Sequence, residues 1–209
     1  MQAQSNVQVH QNVKHSLLDQ IKQDHNEAKS FFSEYQRFRE RADFHEAKKW
    51  FNQWSWAIAR HSIAEEVVVY PALSKKLPKY KIEDLLSDHQ EVKENLSKLE
   101  KLPVEEREFD RIMIATQNSL VEHMSKEELE EIPEFERVSS QDDIEQIVRQ
   151  FERRKAIVPT RAHPNAPTNP YLESLVGLFT APMDKIKDIF SDFPEKEAVS
   201  KASKKDHVY

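Results

Sequence analysis

His61-Ser-Ile-Ala-Glu65-Glu66-Val-Val-Val-Tyr-Pro71 and His123-Met-Ser-Lys-Glu127-Glu128-Leu-Glu-Glu-Ile-Pro133 are two versions of one segment. In each, a histidine and a glutamate stand four residues apart, a second glutamate follows, and a proline closes the stretch at the same offset. Each is preceded by an Asp-His pair: Asp24-His25, with His25 36 residues before His61, and Asp88-His89, with His89 34 residues before His123. Four histidines and two carboxylates in matching half-sets point to one symmetric metal site built by a duplicated helical hairpin.

The residues around these segments follow a helical period. Leu18, Ile21, His25, Ala28, Phe32 and Tyr35 recur by threes and fours between about Val13 and Arg41. Ala42-Asp43 interrupts that stripe, and Asp43 with Glu46 resembles a capping box. A second stripe, Ala47, Phe51, Trp54, Ile58, His61, Glu65 and Val68, is expected to stop before Pro71. The third reads Ile82, Leu85, His89, Val92, Leu96 and Leu99, ending before Pro103. The fourth reads Phe109, Met113, Thr116, Leu120, His123 and Glu127, and is expected to end before Pro133. Short connections favour antiparallel neighbours, which predicts an all-α, up-down-up-down four-helix bundle over residues 14–138. Antiparallel packing of these lengths would bring all four rings to a similar level.

Composition agrees with that class. Glycine occurs once in 209 residues and a third of the chain is charged, as in long solvated helices. Formal charge is −6 with both signs interspersed, so no basic patch suggests nucleic acid. The absence of cysteine excludes disulfides, thiolate-zinc sites and a cysteine nucleophile. The N-terminus has no signal or transit character and no apolar run reaches transmembrane length, so the default expectation is a soluble cytoplasmic protein.

A single histidine on an apolar stripe is ordinarily a hydrogen-bonded core residue. Four of them in duplicated register are not explained that way, and the carboxylates weigh more. An ionised glutamate buried without partners costs several kcal/mol. Glu65 and Glu127 lie on inner stripes that offer no lysine or arginine to neutralise them, and a shared cation removes the difficulty. Residues i and i+4 share one helical face, so His61/Glu65 and His123/Glu127 can each reach one ion. Imidazole and carboxylate without sulfur suit iron, manganese or zinc. Two half-sets of this kind suggest a dinuclear centre with open positions for an oxo or hydroxo bridge and a small exogenous molecule.

The spaced set over roughly residues 14–135 resembles the hemerythrin-like HHE cation-binding family. That resemblance implies a four-helix bundle holding two non-haem iron ions. By the same resemblance, His25 and His61 serve one half, His89 and His123 the other, and Glu65 and Glu127 bridge. Oxygen-carrying hemerythrins have a further histidine one turn after the third-helix ligand, where this chain has Lys93. One iron would thereby lose an imidazole and gain an open or water-filled position, which argues against reversible oxygen carriage. Ferritin-like di-iron proteins use Glu-x-x-His rather than His-x-x-x-Glu.

Among nearby residues, Trp54, Ile58, Phe32 and Met113 would form an apolar sleeve that core packing explains equally well, and Tyr35 reads as core. Glu66, Glu122 and Glu128 flank ligands but leave the stripe, as solvated groups or as partners for imidazole N–H groups. His15, His45, His163 and His207 have no stripe partners and read as bystanders. Residues 1–13 are expected to be flexible. An additional helix spans 139–157, capped at Ser139 or Ser140. Residues 158–194 comprise a proline-rich linker and an amphipathic helix similar to the extension of fungal HHE proteins, and 195–209 read as a disordered tail. The amphipathic helix could dock on its own bundle, form a homodimer contact or lie on a membrane. Docking is favoured because the helix is not strongly basic.

The resulting functional expectation is a metal-binding protein whose iron pair takes a diatomic or peroxide ligand for sensing, iron handling or protection against oxidative stress. The alternatives are a peroxidase- or oxidase-like di-iron enzyme and a metal-stabilised interaction module.

Overall fold

The structure is a computed structural model that describes residues 16–157 and 192–204. Among these residues there is no strand. Four long helices make the bundle: α1 (Leu17–Glu40), α2 (Phe44–Ala64), α4 (Lys79–Leu99) and α5 (Arg107–Lys126). Short helices α3 (Tyr70–Leu73) and α6 (Ile132–Arg137) prolong α2 and α5, α7 (Gln141–Ile157) packs on α1 and α2, and α8 (Lys196–Ala202) packs on α1. Two of the expected helix ends need correction. Neither α2 nor α5 stops at its proline. Each widens into a π-helical turn, Glu65–Val69 and Glu127–Glu131, and then resumes with the proline inside the following short helix. Proline has no N–H to give and its ring collides with the carbonyl four residues back. The π turn avoids this by bonding Tyr70 N–H to the Glu65 carbonyl and Ile132 N–H to that of Glu127, five residues back.

The helix starts are capped as their side chains permit. Ser16 Oγ accepts from Asp19 N–H at 3.1 Å, and Asp43 Oδ1 accepts from Glu46 N–H at 3.2 Å. Glu136, on α6, closes the bundle by accepting from Leu17 N–H at 2.6 Å and Leu18 N–H at 3.1 Å with one oxygen. That carboxylate neutralises orphan donors at the positive end of α1. The α1–α2 connection is tight enough to hold Ala42 at φ 55, in the left-handed region.

The apolar core is split. One cluster contains Phe31, Tyr35, Trp50, Phe51, Trp54, Ile58, Val92, Leu96, Phe109, Met113 and Leu120. The other contains Leu17, Ile21, Val69, Leu73, Leu85, Ile132, Phe135 and Phe151. Along α1, α2 and α4 the histidine falls where one cluster gives way to the other. His123 lies near the end of the first cluster's run on α5, which closes at Met124 before Ile132 opens the second, so the four rings do share one level.

Of the expected disordered tail over 195–209, the described residues 195–204 differ from that expectation, and 205–209 lie outside the described residues. Helix α8 forms, buries Ala202 against the first cluster, and donates from Ser203 Oγ to Glu27 Oε1 at 3.1 Å. Just before it, the Asp192 carbonyl accepts from Asn52 Nδ2 at 3.0 Å. Val199 and Ala202, three residues apart, give this short helix one small apolar face, which composition alone does not distinguish from a tail. The expected flexible segment 1–13, the proline-rich linker and the amphipathic helix to residue 191 lie outside the described residues.

Candidate metal centre

His25 on α1, His61 on α2, His89 on α4 and His123 on α5 turn their Nε2 atoms toward one buried point, where Glu65 and Glu127 open the π turns. The Nε2 atoms of His25 and His61 are 3.0 Å apart, as are those of His89 and His123. Two ligand atoms held about 2.1 Å from one ion at right angles stand about 3 Å apart, so each pair has the spacing of one coordination edge. Glu65 lies across both pairs: Oε1 is 3.0 Å from His61 Nε2 and Oε2 is 3.4 Å from His89 Nε2. Glu127 does likewise through Oε2, 3.3 Å from His25 Nε2 and 3.5 Å from His123 Nε2. His25, His61, Glu65 and Glu127 form one group with metal-ligand spacing, and Glu65, His89 and His123 a second. Glu65 belongs to both.

The opposite face of every ring is fixed by a carboxylate from a neighbouring helix. His25 Nδ1 donates to Glu128 Oε1 at 2.7 Å, and His61 Nδ1 to Asp24 Oδ2 at 3.1 Å. His89 Nδ1 donates to Glu66 Oε1 at 2.9 Å, and His123 Nδ1 to Asp88 Oδ2 at 3.3 Å. An ionised carboxylate only accepts, so the proton belongs on Nδ1 and the Nε2 lone pair faces inward. A lysine then meets each carboxylate: Lys155 on Asp24 and Lys126 on Asp88, both at 2.7 Å, Lys93 on Glu66 at 2.7 Å, and Lys29 near Glu128 at 3.7 Å. The two half-sets are thus duplicated through three successive layers of side chains.

The inner carboxylates are different. Glu65 and Glu127 are both fully buried, and Glu65 Oε1, Glu65 Oε2 and Glu127 Oε2 have no hydrogen-bond donor. Three such oxygens facing four imidazole lone pairs need positive charge among them. Protons are one source. Burial opposes a charge on His61, but Glu65 and Asp24 outweigh it and push that imidazole up to about 10. Burial likewise opposes a charge on His89, which Glu65 and Glu66 push up to about 9. Against its own burial, Glu65 is held well below the usual carboxylate range by His61 and His89. A divalent cation is the other source, and it must displace those protons to bind. The donor set of nitrogen and oxygen atoms fits such an ion.

The structure thus brings together all six residues singled out by the repeat. Glu66 and Glu128 serve imidazole N–H groups, whereas Glu122 faces solvent. Phe32, Trp54, Ile58 and Met113 are buried in the first apolar cluster, and Tyr35 is core, with its hydroxyl donating to Asp110 Oδ1 at 2.8 Å. His45 is exposed, 3.8 Å from Asp192, while His15, His163 and His207 lie outside the described residues. Lys93, in place of the further histidine of oxygen carriers, lies beside Glu66, outside the converging set. Sequence reasoning gave Asp24 and Asp88 no role, although an aspartate directly before a stripe histidine was the visible signal. It also missed Lys155, which reaches Asp24 from α7 across 131 residues of sequence. Tyr70 was missed as well: its hydroxyl donates to Glu127 Oε1 at 2.8 Å and lies 3.1 Å from His89 Nε2 and 3.4 Å from His123 Nε2.

Comparison with known proteins agrees with this geometry. Residues 16–135 match the model of the hemerythrin HHE cation binding domain. A hemerythrin-like protein of Schizosaccharomyces pombe is 37% identical over 181 residues, covering 85% of this chain and 88% of the relative. No solved structure matches the chain. By domain model and overall similarity, the chain belongs to the hemerythrin HHE cation-binding family.

Proposed function

We propose that this protein binds two non-haem metal ions, iron foremost, through His25, His61, Glu65, His89, His123 and Glu127, and through them a diatomic or peroxide ligand. The observation that carries the proposal is the set of three buried carboxylate oxygens without donors, facing four inward Nε2 atoms. His25 and His61 hold one ion, His89 and His123 the other, and Glu65 joins the halves with one oxygen toward each. When bound, an iron pair supplies reversible electron transfer and affinity for small ligands such as oxygen, nitric oxide or peroxide.

The chain's own groups set the conditions. Asp24, Glu66, Asp88 and Glu128 fix the imidazole tautomers, and their lysines keep those carboxylates from competing for the metal. Apolar layers on either side keep bulk water from the cluster and favour a small ligand over a large substrate. Sensing, iron handling and protection against oxidative stress all use this chemistry.

The test is metal content and the optical spectrum of protein purified under air. Two irons per chain with oxo-bridge charge-transfer bands are expected. Glu65→Ala should lose at least one ion per chain, because Glu65 gives each histidine pair a separate oxygen, whereas Glu127 spans the pairs through Oε2 alone. Retention of both ions by that variant overturns the bridging assignment. No metal in the protein after anaerobic ferrous reconstitution overturns the proposal itself.

A further inference from the structure

We infer that Tyr70 is a seventh protein ligand, binding through its phenolate oxygen to the ion on the His89–His123 side. The inference rests on the two-metal reading above and adds to it a residue type that the repeat did not contain. Tyr70 Oη stands 3.1 Å from His89 Nε2 and 3.4 Å from His123 Nε2, while those nitrogens are 3.0 Å from each other. Three atoms at these separations have the spacing of one face of a coordination polyhedron around a single ion, since cis ligands at about 2.1 Å lie about 3 Å apart. The side chain is 1% exposed, so its hydroxyl is committed to the cluster rather than to solvent.

The backbone puts it there. In an uninterrupted α-helix, a residue five positions after Glu65 would point about 140° away from it. The π turn instead bonds Tyr70 N–H to the Glu65 carbonyl, stacking the two residues on one side of the helix. The second π turn does the same for Ile132, which has no atom to offer an ion. The two halves therefore differ at this position. The half that carries Tyr70 is also the half where Lys93 turns to Glu66 instead of supplying a further imidazole.

Without a metal the phenol keeps its proton: burial and the charges of Glu127 and Glu65 hold its pKa well above the ordinary tyrosine value. A bound cation reverses that balance, and the displaced proton leaves to solvent with those from the imidazoles. The oxygen–metal bond then replaces the O–H bond, with no change in oxidation state. The ion on the His25–His61 side has no phenolate, and its remaining positions are left for an exogenous ligand.

The experiment loads the full-length protein with iron, oxidises it to the ferric state, counts the metal, and records the visible and resonance Raman spectra. A phenolate-to-ferric charge-transfer band with enhanced tyrosine ring vibrations is expected. Tyr70→Phe should keep two irons and lose the band completely, while Tyr35→Phe, altering a buried tyrosine remote from the cluster, should keep it. Two bound irons with no such band, or a band unchanged in Tyr70→Phe, overturns the inference and leaves the two-metal reading standing. A wild-type protein that binds no metal overturns both. If Tyr70→Phe fails to fold, ring-deuterated tyrosine in the wild-type protein decides. The Raman lines must then shift with the label and survive in Tyr35→Phe, Tyr80→Phe, Tyr171→Phe and Tyr209→Phe, the four other tyrosines of the chain; unshifted lines, or lines lost in any of these four, overturn the inference.

Discussion

Lys155 and Asp24 form a buried ion pair, with the ammonium 2.7 Å from both carboxylate oxygens. Both side chains are more than nine-tenths buried, so solvent screens the pair little. Removing Lys155 leaves Asp24 as a buried carboxylate held only by the His61 N–H, without its cationic partner, which costs about 3 kcal/mol. Lys155→Met, which keeps the length of the stem, should therefore lower unfolding free energy by about that amount in urea at neutral pH. The pH dependence follows from Asp24. Burial works to raise its pKa, but His61 and Lys155 together hold it below its ordinary value of 3.8. A depressed carboxylate contributes stability above its unfolded value and loses it as pH falls through the folded one. The gap between wild type and Lys155→Met should thus be full near pH 7 and shrink below about pH 4. An unchanged gap at pH 3 would show that lost packing, not lost charge, is responsible.

At the level of elements, the α1–α2 connection carries strain that one substitution can relieve. Ala42 sits at φ 55, where an L-residue costs about 1–2 kcal/mol and glycine sits freely at an entropic cost of about 0.5–1 kcal/mol. Ala42→Gly should raise stability by about 0.5–1 kcal/mol in thermal or urea unfolding; a loss would mean the turn is not strained. The helical stripes made α1, α2, α4 and α5 legible from sequence, because period and apolar content agree along each. The metal-ligand candidates were legible for a related reason: charge on an inner stripe conflicts with burial, and the conflict recurs in register. The continuation past Pro71 and Pro133 was not legible. A proline after a helical run ordinarily ends it, and only tertiary packing of α3 and α6 makes the π turn worth its weaker geometry. Tyr70 went unnoticed for the same reason, since its direction depends on that turn. Lys155 had no local signal, because its partner is set by how α7 folds back over α1 and α2.

Across the whole molecule, a charged layer separates two apolar clusters, and the bundle's cohesion there depends on what balances the carboxylates. A ligand that binds only the folded chain at a hundred times its dissociation constant adds about 2.7 kcal/mol per site. For a domain of this size, two such sites correspond to a rise in Tm of about 10 °C or more. Stripping the protein with a chelator should lower Tm by that amount and restoring metal should recover it. A Tm indifferent to chelation would mean protons on the imidazoles balance the layer equally well. The layer also has a geometric consequence. Each histidine takes its outer carboxylate from the neighbouring helix, in a closed circuit from α1 through α2, α4 and α5 back to α1. Sliding any one helix by a turn, about 5.4 Å, would disconnect its own ring and strand its neighbour's as well. The circuit therefore works as a gauge of alignment: only a chain whose four helices have reached the same height can grip an ion, so metal capture certifies that assembly is finished.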